Sequence, residues 1–90
     1  MKDLAQCRKE IDEVDRQLLR LFEERMALCR EVARYKKAHG LPTLDASREE
    51  AVLAALAGKT TPELLPYARK LWRVLMDLSK EFQDQGGISP

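Results

Sequence analysis

Arg25 and Lys36 stand 11 residues apart, close to three helical turns, so on one helix they leave from the same face. Arg25 also interrupts the apolar progression Leu18, Leu21, Phe22, Leu28, Cys29. A charge set among apolar residues must be paired or must face a ligand. Arg8 precedes Arg25 by 17 residues, roughly 25 Å along a helix and about a quarter-turn off that face. It cannot share a small-molecule site with Arg25 on the same helix, although an antiparallel partner chain could bring it into a neighbour's site. A second cluster is Asp45-Ala46-Ser47-Arg48-Glu49, which reads both as a capped helix start with local ion pairs and as donors and acceptors at the mouth of a site. The third feature is Ser79 with Gln83, four residues apart and continuing the line Leu65, Trp72, Met76. Buried neutral donors need partners, either in the backbone or in a ligand.

What the chain lacks narrows the chemistry. It has no Gly-rich phosphate loop, no metal-ligand spacing and no Cys/His or Ser/His nucleophile pattern. The one histidine, His39, adjoins Gly40 and reads as a helix-end cap rather than a base. Cys7 and Cys29 are 22 residues apart, roughly 33 Å on one helix, too far for a disulfide. Two free thiols fit a reducing compartment. The +1 formal charge gives no bulk attraction to nucleic acid or anionic membrane. No apolar run approaches the ~20 residues of a membrane span, and Met1-Lys2-Asp3-Leu4 lacks a signal-peptide core. A cytoplasmic location is expected. If the chain is an enzyme, its reaction must proceed without nucleophile, metal or cofactor.

The elements that must position these residues are helices. From about Asp3 to His39 there is no Pro or Gly, and Leu4, Cys7, Ile11, Val14, Leu18, Leu21, Leu28 and Val32 recur at three- and four-residue steps. His39-Gly40-Leu41-Pro42 ends this segment. A short helix is expected from about Ser47 to Leu56, capped by Asp45 or Ser47 and closed by Gly58. A third starts at Thr61-Pro62-Glu63 and runs to about Gln83, with Leu64, Ala68, Leu71, Leu75, Leu78 and Phe82 as a packing stripe. The spacing predicts an all-α fold of three helices: long, short, long. One domain over residues 1–85 and a flexible tail over 86–90 are expected, the latter from Gly86-Gly87.

The lengths imply a partner. A first helix of roughly 54 Å cannot be covered by a third of about 36 Å and a short second one. Its leftover apolar length needs another chain, most simply in a two-fold homodimer of packed long helices.

Taken together, Arg8, Arg25, Lys36, Asp45, Arg48, Glu49, Ser79 and Gln83 on this pattern resemble the all-helical chorismate mutases. The strings that carry the likeness are Cys7-Arg8-Lys9-Glu10-Ile11-Asp12-Glu13-Val14-Asp15, Glu24-Arg25-Met26, Tyr35-Lys36 and Asp45-Ala46-Ser47-Arg48-Glu49. The resemblance implies an intertwined homodimeric helical bundle with two sites, each using Arg8 of the partner chain. It implies a cofactor-free Claisen rearrangement of chorismate to prephenate. Arg8 and Arg25 would then clamp carboxylates, and Lys36 would contact a carboxylate and the ether oxygen. Gln83 would donate to that same oxygen. Glu49 would accept from the ring hydroxyl, aided by backbone near Asp45, with Arg48 and Ser79 completing the polar lining. Two other readings share these features: an isochorismate pyruvate-lyase, and a non-catalytic dimerisation or regulatory module of an aromatic-biosynthesis enzyme.

Overall fold

The computed structural model describes residues 1–84; the tail expected over 86–90 lies outside them. Helix α1 spans Leu4–Ala38, α2 spans Ala46–Ala55 and α3 spans Leu65–Asp84, with a 3₁₀ turn at Leu56–Gly58 after α2. There is no strand among the described residues, so the expected all-helical, long-short-long order holds.

Local chemistry sets each boundary. The Asp3 carboxylate caps α1 by accepting from the Gln6 N–H at 2.8 Å, satisfying one of the orphan donors of a helix start. At the other end Gly40 takes a φ of 67°. The Leu41 N–H then reaches the Lys36 carbonyl at 2.8 Å and the Gly40 N–H reaches Lys37 at 3.3 Å. This is a Schellman closure, and it turns the chain back toward α1. Of the two expected caps for α2, Asp45 is the one used: its Oδ1 accepts from the Arg48 N–H at 3.0 Å.

The third helix begins later than the Thr61-Pro62-Glu63 signal suggested. Leu64 and Leu65 both donate to the Thr61 carbonyl at 3.1 Å, but the regular helix starts at Leu65. Pro66 is the reason: it has no N–H to close the next bond onto Pro62. The expected packing stripe on α3 also divides. Its members Ala68, Leu75 and Phe82 are half-buried, beside the inward line Leu65, Trp72, Met76, Ser79 and Gln83, whereas Leu64, Leu71 and Leu78 are exposed. Within one chain α1 and α2 cover a single side of α3, so Leu64, Leu71 and Leu78 look outward.

The hydrophobic core of the protomer is small: Ala33, Leu56 and Met76 are the buried apolar residues among those described. On α1, Phe22, Met26, Cys29, Ala33 and Lys36 face the other helices, while every residue from 11 to 21 is exposed. Leu4, Ile11, Val14, Leu18, Leu21, Leu28 and Val32 all stand in solvent. The molecule measures 55 × 27 × 15 Å, with a radius of gyration of 16.4 Å; a compact 90-residue domain has about 12 Å. No described helix is long and apolar enough to cross a membrane.

Candidate active site

An open cavity of about 200 Å³ lies where the C-terminal half of α1, the start of α2 and the end of α3 meet. Arg25, Lys36, Asp45, Arg48, Glu49, Ser79 and Gln83 line it, together with Cys29, Thr43, Lys80 and three apolar residues, Val32, Val52 and Met76. Every residue expected at the site is therefore brought together except Arg8. That residue is exposed on the N-terminal part of α1, roughly 25 Å from Arg25 at 1.5 Å per residue.

Helix geometry explains the convergence. Arg25, Cys29, Val32 and Lys36 follow one another at three- and four-residue steps on α1, forming one wall. Met76, Ser79 and Gln83 do the same on α3. The Schellman turn returns the chain so that Lys36 Nζ donates to the Thr43 carbonyl at 2.9 Å. One of the three ammonium donors is used in this way, which leaves two for a ligand.

The Ser79 hydroxyl is the hub of the floor. Its Oγ accepts from Arg25 Nη1 at 2.8 Å and from the Cys29 thiol at 3.2 Å, and it donates to the Leu75 carbonyl at 2.8 Å. Both lone pairs and the proton are thus committed. Ser79 is 5% exposed, so it fixes the guanidinium from below. Arg25 has no carboxylate partner among the described ion pairs, and it lines the cavity. Gln83 is 7% exposed, and its Oε1 has no hydrogen-bond partner. Leaving a buried amide unpaired costs about 1–3 kcal/mol. A ligand group that donates to Oε1 removes that cost, while the amide Nε2 is the atom able to donate to a ligand acceptor.

Glu49 reaches across to α3, where Lys80 Nζ lies 3.1 Å from its Oε2. The hydrogen bond that Lys80 donates to Glu49 is the main influence holding its ammonium above the ordinary pKa, against a partial desolvation that lowers it. Lys80 went unnoticed in the sequence, although it sits three residues before Gln83 on the same face. Cys29 lies four residues after Arg25, and its place in the wall was legible by the same spacing. The Thr43 carbonyl had no sequence signal, because a backbone acceptor is set by the turn and not by residue type.

Four cations, Arg25, Lys36, Arg48 and Lys80, face two carboxylates, Asp45 and Glu49, around this cavity. The excess of two positive charges suits a small dianion. Among the described residues, no cluster of His, Cys, Asp and Glu is grouped as metal ligands would be.

Comparison with known proteins fits this geometry. The family model for chorismate mutase type II matches residues 7–84. A solved chorismate mutase (form II) of Thermus thermophilus superposes with a TM-score of 0.87 at 34% identity, over 93% of this chain and 97% of that one. A chorismate mutase of Methanocaldococcus jannaschii is 42% identical over 50 residues, which are 56% of this chain and 50% of that protein. The T-protein of Haemophilus influenzae is 44% identical over 55 residues, 61% of this chain and 15% of that protein. The chain thus spans at most about half the length of these two curated relatives.

Proposed function

Since the chain belongs to the chorismate mutase type II family, we propose that it isomerises chorismate to prephenate by a Claisen rearrangement. The observation that carries this reading is the cavity itself. Its cations outnumber its carboxylates by two, and the polar residues expected from one protomer line a single space. The substrate is a dicarboxylate, so its charge meets that excess.

The reaction breaks one C–O bond and makes one C–C bond within a single molecule, with no proton transfer and no external nucleophile. Catalysis then consists of holding the compact reactive conformer and stabilising the negative charge that develops on the ether oxygen. Arg25, fixed by Ser79, clamps one carboxylate through its planar fork. Lys36 keeps two ammonium donors for a carboxylate and the ether oxygen, and Gln83 supplies a second donor to that oxygen. Glu49 accepts from the ring hydroxyl. Arg48 and the backbone at Asp45 complete the lining.

The working unit is a homodimer, with Arg8 of each chain entering the other's site. The exposed apolar series on α1 supports this, as does an apolar groove of about 480 Å³ bordered by Leu18, Leu19, Phe22, Leu71, Trp72 and Leu75. Residues 1–85 act as one unit, and the location is cytoplasmic.

The test is a cofactor-free assay of the purified chain with chorismate, with the product identified. Prephenate is the expected product. A folded dimer that leaves chorismate untouched but releases pyruvate from isochorismate would overturn the assignment in favour of the lyase. One that acts on neither substrate would favour the non-catalytic module.

A further inference from the structure

We propose that Lys80 is a positioning residue for Glu49, holding that carboxylate as the acceptor for the substrate's ring hydroxyl and offsetting its repulsion of a dianionic substrate. This rests on the reading above, in which Glu49 meets that hydroxyl.

Three observations support it. First, the pair joins two helices. Glu49 lies in α2 and Lys80 in α3, with 3.1 Å between Nζ and Oε2, whereas the pairs Glu13–Arg16 and Glu31–Arg34 stay within α1. Second, apolar packing holds the far end of α2, at half-buried Val52 and Leu53 and at buried Leu56 just beyond it, rather than the end that carries Glu49. None of its residues is buried, so core packing does not set where the Glu49 carboxylate points. An ion pair that occupies Oε2 leaves Oε1 as the free acceptor. Third, the pair is shielded. Its side chains are 30% and 29% exposed, against 59% and 65% for Arg34 and Glu31, and less exposed pairs are less screened by salt. Asp77 also touches the Lys80 ammonium, at 3.5 Å, but it is 70% exposed and is not among the residues lining the cavity. It tethers Lys80 from the solvent side.

A bare carboxylate at the site of a dianion repels the ligand it must bind. Lys80 removes that repulsion in the ground state and the transition state alike, because its effect falls on binding rather than on the bond being broken. Uniform binding of this kind appears in KM and leaves kcat nearly unchanged.

The experiment compares wild type, Lys80→Met and Lys80→Arg by steady-state kinetics with chorismate and by thermal unfolding. Lys80→Met should raise KM about tenfold while kcat falls less than about threefold. Lys80→Arg, which keeps the charge and the donor, should return KM to within about twofold of wild type. If Lys80→Met fails to fold, Lys80→Gln carries the same expectation. A lowered Tm with unchanged KM would overturn the proposal, since the pair would then be a structural tie. So would a Lys80→Arg variant as impaired as Lys80→Met. A folded wild-type dimer that turns over no chorismate removes the functional reading and this proposal with it; an active wild type with an indifferent Lys80→Met variant removes the proposal alone.

Discussion

At the scale of single residues, the site depends on committed hydrogen bonds. Ser79 accepts from Arg25 and donates to the Leu75 carbonyl, so Ser79→Ala frees the guanidinium to wander. The expected outcome is a fall in kcat/KM of about ten- to a hundredfold, since one hydrogen bond to a charged group contributes about 1.5–3 kcal/mol. Steady-state kinetics on the folded variant would measure it. Lys36→Ala should be more severe. Losing a donor aimed at developing negative charge costs about 10²–10³ in kcat, and a drop of less than about threefold would mean that Lys36 is only a surface charge. Gln83 carries no titratable proton, so turnover should change little from low to mildly alkaline pH. A steep loss near neutrality in a protein that stays folded would contradict its role as donor. Sequence spacing found Arg25, Lys36, Ser79 and Gln83 because helical periodicity alone puts such residues on one face. Lys80 escaped because its partner Glu49 is 31 positions earlier, and only the crossing of α2 and α3 brings them together.

At the scale of elements, the turn after α1 positions much of the site. Gly40 holds a φ of 67°, and a Cβ built there would meet nothing within 4 Å. Gly40→Ala should therefore lower stability by about 1 kcal/mol through backbone strain alone, a loss readable in a urea or thermal unfolding curve. No loss would mean that the turn relaxes freely. The link between α2 and α3 has its own pH range. Glu49 raises the Lys80 pKa in the folded state above 10.5, so the contribution from Lys80 is present throughout the neutral range and is lost as pH climbs through the folded pKa. Amide exchange in α2 should accordingly show no pair-dependent opening near neutrality. The helix ends at Gly40 and Asp45 were legible from capping chemistry, and the start near Asp3 from the apolar period. The late start of α3 was not, because Thr61-Pro62 is a start signal by itself and Pro66, lacking the N–H that would bond to Pro62, delays the regular helix.

At the scale of the whole molecule, a thin, open protomer has to be completed. Residues 11–21 of α1 are all exposed, and large apolar side chains stand in solvent along α1 and α3. Burying one such side chain contributes about 1.5–3 kcal/mol, so association should be strong. Sedimentation should report a dimer, and Leu18→Glu should yield monomers or unfolded chain. A monomer of full activity would refute the shared site. Mixing Arg8→Ala with Lys36→Ala protein gives the finer test. In a heterodimer one site carries both defects and the other carries neither, so activity should partly return after subunit exchange. If it does not, Arg8 acts elsewhere.

By itself the sequence determined the helices, their order, most of their ends and the faces on which Arg25, Lys36, Ser79 and Gln83 lie. Those properties depend on contacts a few residues apart, and helical period and capping chemistry encode them directly. Tertiary structure alone decided that the Asp45–Glu49 start of α2 packs against α3 and borders a cavity shared with α1, that the Thr43 carbonyl holds Lys36, and that Lys80 meets Glu49. These contacts depend on how the chain turns and on residues far apart along it. They follow from how three helices pack around a core as small as Ala33, Leu56 and Met76, and no spacing rule along one helix contains that information.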